Sequence, residues 1–124
     1  MAPACGTSAR LSLHRSIDMA WAWLSLAGLL EIAFAFFMKS STGFSRLFPS
    51  VLAVASGISS VTLLSMALRT LPVGTGYAVW TGIGAAGTAM LGIVLLGEPA
   101  TPPRMLCIGL ILMGVIGLKL VPMG

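Results

Sequence analysis

The sequence predicts an all-α integral membrane protein built as a bundle of four transmembrane helices. Hydrophobic residues make up 57% of the 124 residues and charged residues only 8%, whereas soluble domains typically contain about 25% charged residues. The mean hydropathy is +1.03. A helix needs roughly 20 apolar residues to cross the hydrocarbon core, so four crossings use nearly the whole chain. The absence of strand-like alternation in the sequence argues against a β-barrel, and no length remains for a soluble catalytic domain.

Four apolar runs define the predicted helices, and they cover residues 20–38, 50–68, 73–96 and 105–121. The segment "KSSTGFSRLFP" follows the first run and "GEPATPPR" follows the third, and both contain the Gly and Pro residues typical of loops. The second run ends at Arg69 and Pro72. Lys119 lies near enough to the end of the fourth run for its ammonium group to reach the lipid headgroups.

Residues 1–18 differ from the rest of the chain. They include Arg10 and Arg15 and lack both the apolar core and the cleavage site of a signal peptide. Met19 is followed directly by Ala20 and Trp21 at the predicted membrane edge. We therefore predict a disordered N-terminal extension over residues 1–18, a true start at Met19, and a single membrane domain over residues 19–121.

The cations are scattered at helix ends, which excludes a nucleic-acid-binding stripe despite a net charge of +4. Four crossings place Lys39, Arg46 and Arg104 on one side of the membrane, and Arg69 and Lys119 on the other. Orientation follows an excess of Lys and Arg on cytoplasmic loops, and three against two is a weak excess. The chain could therefore insert both ways round, and two copies of opposite orientation could pair about an axis in the membrane plane.

Glu31 is the one acid inside the first apolar run. An acid at a helix centre costs roughly 2.5–3.5 kcal/mol on the insertion scale, so it must face a partner or a water-filled cavity. A protonated carboxyl that is hydrogen-bonded between helices would meet this need without any function. Because no other charge of this chain is buried in the membrane, the other possible partners of Glu31 are a cationic substrate, a proton or the Glu31 of a second copy. Its neighbours one helical turn away are mostly small: Ala27, Gly28, Phe34 and Ala35.

The third run carries a face that could meet this carboxylate. Tyr77, Trp80 and Gly84 form one stripe at helical spacing. Trp80 lies eight residues past Pro72, or about 12 Å along a helix, which is too deep for an interfacial aromatic belt. The indole N–H and the tyrosine hydroxyl can hold a carboxylate, and the ring faces suit a cation.

The glycines of the third and fourth runs and the hydroxyl side chains of the second run can be explained by helix packing and by bonds to the helix backbone. Glycines in the third run could allow close packing or a helix bend, and the residues leave both open: Gly82, Gly84 and Gly87. Three further glycines in the fourth run are spaced for helix contact: Gly109, Gly114 and Gly117. In the second run, four polar side chains are expected to bond their own helix backbone: Ser56, Ser59, Ser60 and Thr62.

Over residues 19–121 these features together resemble the small multidrug resistance family. The motifs "YAVWTGIGA", "LLGEP" and "GLKL" are more similar to its guanidinium-exporter subtype than to its quaternary-ammonium subtype, for which we would expect Ser at Thr81 and Val at Ile83. One position departs from the guanidinium-exporter pattern. Phe34 stands where that subtype usually has Trp, so an aromatic face is kept and an N–H donor is lost.

The resemblance implies an antiparallel homodimer in the bacterial inner membrane that exports a small cation in exchange for protons. It places the binding role on Glu31, with Gly28, Ser60, Tyr77 and Trp80 around it, and it gives the fourth helix the dimer contact. A paralogous chain could replace one copy. We expect membrane lipid as the surroundings, and no metal, cofactor or nucleic acid.

The predicted mechanism is competition for one site. Two Glu31 carboxylates that face each other in a poorly solvated site cannot both ionise cheaply, so they bind either protons or a guanidinium ion, which can bridge them with paired hydrogen bonds. The nearest alternative is a multidrug exporter of quaternary ammonium ions. A non-transporting assembly subunit is a second alternative, and an intramembrane enzyme is the weakest because one carboxylate forms no catalytic set.

Overall fold

The computed structural model describes residues 2–121 of the chain, and within them it shows four α-helices. They are α1 (Ala2–Ser40), α2 (Leu47–Ala67), α3 (Val73–Leu95) and α4 (Pro102–Leu120). Each contains a segment long and apolar enough to cross a membrane. The predicted all-helical membrane fold is therefore confirmed for the part of the chain described.

Two helices begin three residues earlier than the sequence predicted. Pro49 is the third residue of α2, and Pro102 and Pro103 open α4, whereas we had expected these prolines in loops. The first turn of a helix has N–H groups without an intrahelical partner, so a proline there removes no hydrogen bond. Prolines in this chain therefore mark helix beginnings as well as loops.

The first eighteen residues are helical as far as the structure describes them. α1 continues without a break from Ala2 through Asp18 into its apolar part; Met1 lies outside the described residues, and the separate N-terminal extension stays a prediction. Pro3 falls in the first turn, where proline is tolerated, and after Gly6 the segment has no further glycine or proline. The start at Met19 stays a prediction.

The helices pack in an order that leaves α4 at the edge. α1 lies against both α2 and α3, and α4 packs mainly against α3. One side-chain contact joins α4 to α1, where Lys119 Nζ lies 5.5 Å from the centroid of the Trp21 ring. The buried core is small and lies where α1, α2 and α3 meet; it includes Leu24, Ala27, Leu64, Ala67, Val79 and Trp80. Alanines in this core let the helix backbones approach closely, which is typical of packing in membranes.

Candidate functional site

Glu31 lies where α1 and α3 pack closely together. A Cβ atom built at Gly84 of α3 would be 2.7 Å from Cγ of Glu31. On α1, a Cβ at Gly28 would be 2.6 Å from the Ile83 side chain. Real Cβ atoms essentially never come so close to another atom, so glycine is needed at both positions for this approach. The predicted small-residue face around Glu31 is thus used to bring α3 against it.

The Glu31 side chain borders two cavities of different character. The first, which we call the polar crevice, has a volume of about 540 Å³ and extends from Glu31 along α1 and α3 to Lys39, Glu98 and Arg104. The second, the apolar groove, has a volume of about 500 Å³ and is bordered by Phe34, Trp80 and aliphatic side chains of α2. Apolar residues form most of the walls of both cavities, and the crevice is distinguished by the charged residues at its far end.

A chain of hydrogen bonds joins three helices beside this carboxylate. The indole Nε1 of Trp80 donates to Oγ of Ser60 at 2.9 Å, and Oγ of Ser60 donates to the backbone carbonyl of Ala27 at 2.7 Å. Ser60 is fully buried and Trp80 nearly so. We had considered Trp80 as a donor to the carboxylate, and in this structure its N–H is directed at Ser60 instead.

Two of the four polar residues of α2 follow the prediction, the bond expected of Ser59 stays a prediction, and Ser60 differs. Ser56 donates to Leu52 O and Thr62 to Ile58 O, four residues back in each case. The prediction that Ser60 does the same is wrong, because its hydroxyl reaches α1. The difference is one of position: Ser60 is buried against α1, whereas Thr62 is exposed.

Phe34 packs on a glycine that the sequence analysis did not single out. A Cβ at Gly57 of α2 would lie 2.9 Å from Cδ2 of the Phe34 ring, and both residues border the apolar groove. The absence of a side chain at Gly57 makes room for the ring. Gly57 is the only glycine in the second apolar run, which was the available signal.

The predicted site residues of α3 fall into two groups. Trp80 and Gly84 lie at the site, as described above. Tyr77 is about half exposed and contacts Trp80, with ring centroids 5.2 Å apart and a tilt of 60°, so within this chain it supports the indole from outside. Gly82 faces Val115 of α4, and Gly87 faces Ile32 of α1. α3 is continuous over this region, which favours the close-packing interpretation; a functional bend stays a prediction.

The glycines of α4 make no close contact within the part of the chain that the structure describes. A Cβ atom added at Gly109, Gly114 or Gly117 would meet nothing within 4 Å. These positions therefore have room for a neighbouring helix from outside the chain. Their contact with a second copy stays a prediction.

A second carboxylate, which the sequence analysis missed, lies at the far end of the polar crevice. Glu98 follows α3 and forms an ion pair with Arg104 in the first turn of α4. Both side chains are partly exposed. The signal in the sequence was the presence of an acid and a base six residues apart around a proline-rich loop.

Comparison with known proteins agrees with this arrangement. The profile of a family described as Small Multidrug Resistance protein matches residues 19–111. The guanidinium exporter of Citrobacter freundii is 58% identical over 102 residues, which cover 82% of this chain and 97% of that protein. The guanidinium exporter of Yersinia pseudotuberculosis is 60% identical over 102 residues, covering 82% of this chain and 98% of that protein. This chain, a multi-pass protein of the bacterial inner membrane, therefore belongs to the small multidrug resistance family.

Proposed function

We propose that this protein exports guanidinium and small substituted guanidinium ions in exchange for protons, and that both cargoes bind at Glu31. The observation that carries the proposal is the position of Glu31 between the polar crevice and the apolar groove. The names of relatives at 58–60% identity support the choice of substrate.

The two cavities suit the two ends of a substituted guanidinium ion. The charged planar head needs hydrogen-bond acceptors and water, which the Glu31 carboxylate and the polar crevice supply. An alkyl or aryl substituent gains free energy by leaving water for an apolar surface, and the Phe34 ring offers such a surface in the groove. Unsubstituted guanidinium has no such substituent and binds through the carboxylates of the site without using the groove.

The working unit is an antiparallel homodimer, in which each copy contributes one Glu31 to a shared site. A guanidinium ion that bridges two carboxylates displaces the protons they hold, and protons that enter on the other side displace the cation. Exchange is obligatory because the same oxygen atoms bind both cargoes. Exposure of the site then alternates between the two membrane faces as the dimer changes shape. The open faces of the glycines on α4 support a role for this helix in pairing.

A second candidate function is export of hydrophobic quaternary ammonium ions. The apolar groove beside Phe34 favours it, because an aromatic face and aliphatic walls can hold bulky apolar groups. Thr81 and Ile83 argue against this second function, since they follow the guanidinium-exporter pattern. Currents from guanidinium and from tetraphenylphosphonium distinguish the two candidates.

The test of the proposed function is transport by the purified protein in proteoliposomes, measured as current on a solid-supported membrane. We expect wild-type protein to give guanidinium-dependent currents, and Glu31→Gln to give none and to release no protons on adding substrate, because glutamine keeps the shape and removes the charge. Asp18→Asn is the matched control, since it removes an exposed acid that precedes the apolar run. A Glu31→Gln variant that gives currents as large as those of the wild-type protein would overturn the competition mechanism.

A further inference from the structure

The loop that carries Glu98 is held in a defined conformation at the end of α3. The N–H of Glu98 donates to the carbonyl of Gly92 at 3.1 Å, six residues back, and Gly97 between them has φ of 69°. A left-handed glycine is common just past the end of a helix, and the carbonyl of Gly92 also accepts from the N–H of Leu96 at 3.1 Å. This conformation folds Glu98 back over the last turn of α3, where a Cβ at Gly92 would lie 2.5 Å from Oε2 of the carboxylate.

Arg104 reaches this carboxylate from a position where a cation is otherwise unfavourable. It is the third residue of α4, and positive charge near a helix N-terminus opposes the helix dipole. Its guanidinium donates through Nη2 to Glu98 and through Nη1 to the carbonyl of Pro99 at 3.4 Å. Because the pair is partly exposed, it adds little to stability and can open at low cost.

The polar crevice connects this ion pair to the candidate binding site. Lys39 lies on α1 at the same end of the crevice, eight residues beyond Glu31, or about 12 Å along the helix. A cation that leaves Glu31 through the crevice therefore meets Glu98 before it reaches the membrane surface. The group that Glu98 holds already, the side chain of Arg104, ends in the same planar guanidinium as the proposed substrate.

We propose that Glu98 is a second, weaker guanidinium-binding carboxylate at the mouth of the polar crevice, which holds Arg104 when the crevice is empty and exchanges it for a substrate guanidinium in transit. The inference rests on the proposed guanidinium export. Exchange of one guanidinium for another keeps the hydrogen bonds of the carboxylate satisfied. The nearby ammonium group of Lys39 and partial exposure to water keep binding weak, so the substrate is not retained there.

The two partners of the ion pair should have opposite effects on transport. We expect Glu98→Gln to raise the guanidinium concentration that gives half-maximal current by about two- to fivefold, the size expected for one exposed charge pair. Arg104→Gln removes the internal competitor and should lower that concentration. Both shifts should shrink at high salt, because the Debye length falls from about 10 Å at 0.1 M to about 3 Å at 1 M.

The control is Arg46→Gln, which removes an exposed cation of the α1–α2 loop, a residue outside the crevice lining. If Arg104→Gln acted only through surface charge, Arg46→Gln would lower the half-maximal concentration equally, and the proposal would be wrong. A purely structural ion pair predicts shifts in the same direction for Glu98→Gln and Arg104→Gln, or no shift; either result would refute the second site and leave export intact. Absence of any guanidinium current from wild-type protein would instead refute the proposed function.

Discussion

Replacement of Gly84 by alanine should impair the site by displacing Glu31. The added Cβ would lie 2.7 Å from Cγ and 3.3 Å from Cβ of Glu31. Ordinary contacts begin near 3.4 Å, so either the Glu31 side chain must shift or α1 and α3 must separate, in each case by about 0.7 Å. Both atoms belong to the rigid beginning of the Glu31 side chain, so a rotation of the carboxylate alone does not relieve the contact.

The size of the effect follows from the cost of overpacking. Extra atoms in a well-packed interior cost about 1–3 kcal/mol, and each 1.4 kcal/mol corresponds to about tenfold in an equilibrium constant. Substrate binding requires Glu31 in its original position, so we assign a strain of about this size to the bound state and expect Gly84→Ala to raise the guanidinium concentration for half-maximal current by about tenfold. The assay is a concentration series of solid-supported-membrane currents, with protein quantity matched between variants.

Gly76→Ala is the matched control for this prediction. Gly76 lies in the same helix and its added Cβ would also meet a neighbouring side chain, that of Leu68, but this contact is remote from Glu31. Overpacking at Gly76 should lower stability while the half-maximal concentration stays within about twofold of wild type. A Gly84→Ala protein that matches wild type in half-maximal concentration would refute the reasoning.

Three further predictions concern the hydrogen-bond chain, selectivity and orientation. Ser60→Ala leaves the buried Trp80 N–H without its acceptor, so the free energy of unfolding in detergent should fall by about 1–3 kcal/mol; an unchanged value would show that the indole finds another partner. Phe34→Trp adds a donor near Glu31 and should raise the ratio of guanidinium current to tetraphenylphosphonium current about fivefold, which corresponds to about 1 kcal/mol. A fall in this ratio would contradict the role assigned to the ring. C-terminal reporter fusions should show both orientations, and two or three added lysines at one end should favour one of them; a uniform wild-type orientation would remove this support for the antiparallel dimer.

Much of the fold could be predicted because a membrane limits the choices. Apolar runs of the right length must be helices, and the four runs became four helices. The sequence missed that α2 begins at Leu47, before Pro49, and that α4 begins at Pro102. Proline occurs both in loops and in the first turn of a helix, and only the backbone geometry distinguishes the two cases. The close approach at Glu31 agrees with its small neighbours and with the predicted stripe of the third run, of which Gly84 is the residue closest to Glu31.

The parts of the site that escaped prediction depend on contacts between helices. A serine in a membrane helix can bond its own backbone or a neighbour, and the rotation of α2 about its axis decides that Ser60 reaches Ala27. The same rotation places Gly57 under the Phe34 ring. Glu98 escaped notice because an acid in a loop is ordinary in sequence, and only its position at the end of the polar crevice gives it a candidate role.

The hydrogen-bond chain beside Glu31 also bears on which cation the site prefers. The Trp80 N–H is directed at Ser60 and the Ser60 hydroxyl at Ala27, and Phe34 has no donor to offer. Apart from the neighbouring Ser60 hydroxyl, the hydrogen bonds that a charged Glu31 accepts come from water or from the bound cation. A guanidinium ion supplies paired N–H donors in the geometry of a carboxylate, whereas a quaternary ammonium ion has no N–H group. A tryptophan at position 34 would hold the carboxylate in one orientation for these paired donors, which is the reason that Phe34→Trp should increase the preference for guanidinium.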